Sequence, residues 1–125
     1  MWSLRVVGAL YLASGLWCSI NPELAAGFLG FTLSPVGLSE FFSVYGGLQV
    51  GLGLAMLVTS FNKDYIEASL FFALITSIGL LIFRLISLMS MVVNEGVYAM
   101  ALLETIIVMA LGVHYFKLRQ FNKSK

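Results

Sequence analysis

Arg84, Glu104 and Glu40 are the side chains whose charge and placement could do chemistry. Arg84 and Glu104 are the only charged residues well inside two long apolar runs, and Asn94 lies midway between them. If those runs form a helical hairpin around Asn94-Glu95-Gly96, the two charges reach the same depth. That depth is about 10 Å below the end of the hairpin, at a rise of ~1.5 Å per residue. An isolated charge there is costly in lipid, so it faces the protein interior and finds a partner. An arginine fork can hold a carboxylate through two parallel hydrogen bonds. Two readings follow. In one, the pair only locks helix register. In the other, an outward-opening pocket lets Arg84 meet an anionic or carbonyl-bearing molecule, while Glu40 and Glu104 hold the guanidinium and supply or accept a proton.

The neighbours of these residues give each helix its faces. Residues three, four and seven apart share a helical side, which groups Arg84 with Ala73, Thr76, Ser77, Leu80 and Ser87. Small and hydroxyl side chains on that stripe predict a face turned into a bundle. Glu104 is flanked by Ala101, Val108 and Leu111, so its partner must come from another helix. Glu40, Gly47 and Gly51 fall within about 40° of one another on a wheel of 100° per residue. Gly47 and Gly51 form a GxxxG pattern that permits close helix approach, and Gly46 and Gly53 form a second small face about 130° away. The pattern predicts a central second span, with Glu40 looking toward Arg84 and Glu104.

Composition says where these elements must live. Of 125 residues, 60% are hydrophobic and only 10% charged, against roughly a quarter charged in soluble domains. Lipid must cover much of such a surface. Apolar segments over 4–20, 40–61, 65–93 and 97–116 each suit one span, within a single domain covering 1–125. Helices are expected, because they satisfy their own backbone in lipid, and no period-2 alternation supports a barrel. The fold class predicted is therefore all-α, an integral membrane four-helix bundle. The N-terminal run resembles a signal peptide, but Trp17 stands where a lipoprotein cleavage site needs a small residue before Cys18, so it reads as the first span.

The linkers order the spans. Asn62-Lys63-Asp64 and Asn94-Glu95-Gly96 are tight turns that make spans two, three and four successive antiparallel neighbours. The segment 21–39 is longer and mostly apolar. Asn21-Pro22 reads as an N-cap and first-turn proline, starting a short interfacial helix over 22–28 with an irregular return. With four spans, Arg5, Lys63, Lys117, Arg119, Lys123 and Lys125 share one side, while the opposite loops hold only Glu23, Glu40 and Glu95. The positive-inside rule then places both termini in the cytoplasm.

Other chemistry finds little support. His114 is the lone histidine, with no cluster of ligands around it for a metal, and reads as an interfacial residue. Cys18 is the lone cysteine, which precludes an internal disulfide. Trp2, Trp17, Tyr65, Tyr98 and Tyr115 fit aromatic belts at the two membrane surfaces. No phosphate loop, dinucleotide fingerprint or nucleophile elbow is present. No cofactor, metal or nucleic acid is expected.

Several segments together carry a family likeness: Arg5-Val6-Val7-Gly8 with Gly15, Asn21-Pro22, the run Tyr45-Gly46-Gly47-Leu48-Gln49-Val50-Gly51-Leu52-Gly53, Phe83-Arg84-Leu85-Ile86-Ser87, and Leu103-Glu104. The chain resembles domain-of-unknown-function family 4345, small four-span bacterial proteins broadly similar to DoxX-like membrane proteins. The resemblance implies a bacterial inner (cytoplasmic) membrane location and a four-helix bundle. It implies no activity. The more distant DoxX-like link points to quinone or thiol redox systems, and the single Cys18 does not support thiol chemistry.

The function expected is that of a small polytopic membrane protein without a catalytic motif. It would be a binding or accessory subunit for a lipid, a quinone-like molecule or another membrane protein. Homo-oligomerisation through a glycine face is an open alternative for its partner. A membrane-embedded enzyme using the buried Arg/Glu site is a second reading. A transporter-like subunit is a third, although Gln49, Thr59 and Thr76 offer little of the polar path it needs.

Overall fold

The computed structural model describes all residues, Met1–Lys125, and the chain is all α-helical. Helices α1 (Trp2–Ile20), α2 (Pro22–Phe28), α3 (Pro35–Thr59), α4 (Ile66–Ser90) and α5 (Glu95–Lys123) follow in order. All but α2 are long and apolar enough to cross a membrane. By length and composition this is a multi-pass membrane protein. The chain divides into two compact units, Arg5–Val58 in one and Met1–Leu4 with Thr59–Lys125 in the other.

In the first unit, α2 begins where Asn21-Pro22 marks it, the Asn21 side chain accepting from the Leu24 N–H at 3.2 Å. It ends on Gly30, the one residue with positive φ, at 84°. The Phe31 N–H reaches back to the Ala26 carbonyl at 2.8 Å and the Gly30 N–H to Gly27 at 3.1 Å, a Schellman closure that satisfies two end carbonyls. A second cap then repeats the first: Ser34 accepts from the Gly37 N–H at 3.1 Å, with Pro35 opening α3. The irregular return is therefore short, and the second span starts at Pro35 rather than at 40. The Ser34-Pro35 pair carries the same N-cap and first-turn proline logic as Asn21-Pro22.

Helix α3 is not uniform. Phe42–Leu48 is wound as a π-helix between two α-helical segments. Next to it, Phe41 and Tyr45 stack with centroids 4.7 Å apart and planes at 12°, and Phe31 meets both rings edge-on at 5.5 Å. Cys18, Ala25, Ala26 and Phe41 are buried beside them, joined by Leu29 and Leu33. Cys18 is thus a buried apolar thiol.

Helices α1 and α3 touch backbone to backbone. A methyl group on Gly53 would stand 2.7 Å from the Gly8 carbonyl oxygen and 2.5 Å from the Leu12 nitrogen. One on Gly15 would stand 2.7 Å from the Val50 nitrogen and 2.9 Å from the Gly46 oxygen. Gly46 packs in turn on Ser19, whose hydroxyl is tied to the Gly15 carbonyl at 2.7 Å. Close approach of this kind multiplies dispersion contacts, which hold helices together where lipid removes the hydrophobic drive. Gly47 and Gly51 meet nothing within 4 Å of such a methyl. Of the two bare faces expected on the second span, the contact falls on Gly46 and Gly53, and the GxxxG face is open.

In the second unit, α4 and α5 form an antiparallel hairpin whose register is visible along its length. Arg84 meets Glu104, Leu74 meets Gly112, Phe71 meets Tyr115, and Glu67 meets Asn122. Each step down α4 is matched by a similar step up α5. The buried residues are Leu70, Ala73, Leu74 and Ser77 on α4 and Ala101, Glu104, Ile107, Leu111 and Tyr115 on α5. The turn before α4 is fixed by Asn62, whose side chain accepts from the Asp64 N–H at 3.0 Å. The Thr59 and Ser69 hydroxyls bond across it at 2.6 Å.

The glycine faces are distinguishable by substitution. Gly53→Leu and Gly15→Val should each lower the unfolding midpoint of the detergent-solubilised protein, costing about 1–3 kcal/mol through overpacking. Gly47→Ala and Gly51→Ala should be neutral or raise stability, because Ala is favoured over Gly by ~1 kcal/mol within a helix. Thermal unfolding of the four variants separates the two outcomes.

Candidate functional site

The site is built on the hairpin. Asn94 caps α5, its side chain accepting from the Val97 N–H at 3.3 Å, and the chain turns through Met91–Asn94. That short turn holds the two helices so that residues equally far from it face one another. Arg84 and Glu104 do. The Arg84 Nη2 donates to Glu104 Oε1 at 2.8 Å, while Nε donates to Oε1 at 3.3 Å and to Oε2 at 3.2 Å. Both carboxylate oxygens are therefore engaged by one guanidinium. Glu104 is buried, with 10% of its side chain accessible, and Arg84 is 23% accessible.

The face around Arg84 is only partly inward. Ala73 and Ser77 are buried, Thr76 and Ser87 are half-buried, and Leu80 is exposed. Thr76 returns its hydroxyl to the Phe72 carbonyl at 2.8 Å, the usual way a hydroxyl hides its polarity on a helix. The buried Ser77 hydroxyl has no hydrogen-bond partner. Glu104 draws nothing polar from its own helix, where Ala101, Ile107 and Leu111 surround it as buried apolar residues. Its charge is met entirely from across the hairpin.

Glu40 lies in the other unit, exposed in the first α-helical segment of α3. The wheel that aligned it with Gly47 and Gly51 assumed an uninterrupted α-helix. The π-helical winding of Phe42–Leu48 adds residues per turn and breaks that phase. Within its own unit, Arg84 is joined to Glu104.

A second polar contact escaped the sequence reading. His114 Nδ1 and the Ser3 hydroxyl lie 2.5 Å apart, and the Trp2 indole meets the His114 ring edge-on at 4.8 Å. Ser3 is fully buried and His114 half-buried. The two are separated by nearly the whole chain, so no local spacing could announce the bond. Tyr115 departs from the aromatic belt expected for it: it is buried against Phe71, with its hydroxyl accepting from Arg119 at 3.4 Å. Trp2, Trp17, Tyr65 and Tyr98 are exposed as a belt requires.

No group of three or more His, Cys, Asp or Glu side chains is placed to hold a metal ion. No family model, curated protein or solved structure matches the chain.

Removing Arg84 takes from the buried Glu104 carboxylate the guanidinium that meets both its oxygens. Arg84→Ala and Glu104→Ala should each cost about 3 kcal/mol of stability. The double variant should cost little more than either alone, since the two act as one unit. A thermal-unfolding double-mutant cycle showing simple additivity would refute the coupling.

Proposed function

We propose that the protein is a non-catalytic bacterial inner-membrane subunit, a four-helix bundle with both termini in the cytoplasm. In this reading it binds a lipid, a quinone-like molecule or another membrane protein. The observation that carries the reading is the Arg84–Glu104 geometry. One guanidinium engages both carboxylate oxygens across α4 and α5, which makes Glu104 a structural acceptor rather than a poised base. The pair then serves as a register lock for the hairpin, and the rest of the surface is left for binding. The orientation is supported by the basic residues, since Arg5, Lys63, Lys117, Arg119, Lys123 and Lys125 fall on one side of a four-span chain.

A charge swap separates a lock from a catalytic site. Arg84→Glu and Glu104→Arg singly should each be strongly destabilising. Together they should recover at least half of the lost thermal stability, because a lock needs only opposite charges at equal depth. Failure of the swap to recover stability would argue against the lock. Reporter fusions test the orientation independently: a fluorescent protein active only in the cytoplasm should light up at both termini, and a periplasm-dependent phosphatase should stay silent at both.

A further inference from the structure

Beside the Trp2–His114 contact lies an open apolar groove of about 390 Å³, lined by Trp2, Ile106, Met109, Ala110, Val113 and His114. It runs along α5 from His114 inward to Ile106, about 12 Å at ~1.5 Å per residue. Its inner end is purely apolar. Its outer end is not. The His114 ring borders it with only Nδ1 engaged, by Ser3. One turn further on, Lys117 shares that side of α5 with His114 at i+3. Lys117 is exposed, and Arg119 and Lys123 continue the basic end of the helix.

We propose that this groove holds one acyl chain of an anionic phospholipid, with the phosphate at Lys117 and the free edge of His114. Three observations agree on the occupant. The lining is apolar where a chain would lie, and the groove follows the helix axis as a lipid tail does. The charge at its mouth is positive, the complement of a phosphodiester. Trp2, which forms one wall and is largely exposed, is suited to the headgroup level by its amphipathic ring. A neutral quinone would make no ionic contact with Lys117. The inference deepens the binding reading of the proposed function. It does not depend on Arg84 and Glu104, so its failure leaves the register lock standing.

Native mass spectrometry of the full chain in detergent tests it, with phosphatidylglycerol and phosphatidylcholine of identical acyl chains as probes. The wild type should bind phosphatidylglycerol more tightly. Lys117→Gln should lower that affinity about fivefold, the worth of roughly one cation at a headgroup. Lys63→Gln removes the same formal charge away from the groove and should change nothing. Ala110→Phe fills the groove and should weaken both lipids alike, with its thermal stability recorded alongside. Equal affinity for the two lipids overturns the proposal, as does an equal loss from Lys63→Gln and Lys117→Gln. Unchanged binding by a folded Ala110→Phe variant, or displacement of phosphatidylglycerol by ubiquinone, overturns it too.

Discussion

In hydrocarbon, a leucine gains nothing by leaving lipid for the side of another helix, so apolar composition alone cannot hold spans together. What remains is dispersion at short range and polar contact where no water competes. Each unit of this protein leans on one of the two. In the Arg5–Val58 unit, Gly8 and Gly15 on α1 meet Gly46 and Gly53 on α3, and backbone atoms come within reach of one another. In the other unit, a methyl on Gly112 would make only ordinary contact with Leu74, at 3.7 Å. Charge and hydroxyl contacts do the positioning there.

The glycine interface follows from spacing. Gly8 and Gly15 are seven residues apart, as are Gly46 and Gly53, which is two turns of helix. Two helices that each bare one side at the same interval can approach along a shared seam. Gly47 and Gly51 have the better-known spacing, but α1 has no glycine pair of that interval. A GxxxG pattern read on one helix names a face that can be approached. Only the partner decides whether it is.

The sequence was most legible where signals are local. Asn21-Pro22 predicted α2 to the residue, and the symmetric placement of Arg84 and Glu104 about Asn94 predicted their contact. The same cap chemistry at Ser34-Pro35 was hidden by its position in an apolar, glycine-containing linker. The π-helical turn in α3 was illegible, because a change from i+4 to i+5 bonding leaves no mark in composition. It mattered, since the expected direction of Glu40 rested on uniform winding. The Ser3–His114 bond was illegible for a different reason: it joins the two extremes of the chain, and only tertiary structure creates it.

The charge pair also has a role that its attraction does not measure. Arg84 with Glu104 and Glu67 with Asn122 pin the hairpin at points about 25 Å apart along α4, at ~1.5 Å per residue. Between them lie ring and methyl contacts, and a buried serine without a partner, none of which would resist sliding by a turn. A slip of one turn would carry the guanidinium and the carboxylate past one another into apolar surroundings. Each unpaired charge would then cost about 2.5–3.5 kcal/mol on insertion scales, and more by other estimates. The correct register pays no such penalty. Most of the pair's effect therefore falls on the wrong registers, which explains why a chain so poor in charge spends two of its few ionic groups inside its spans.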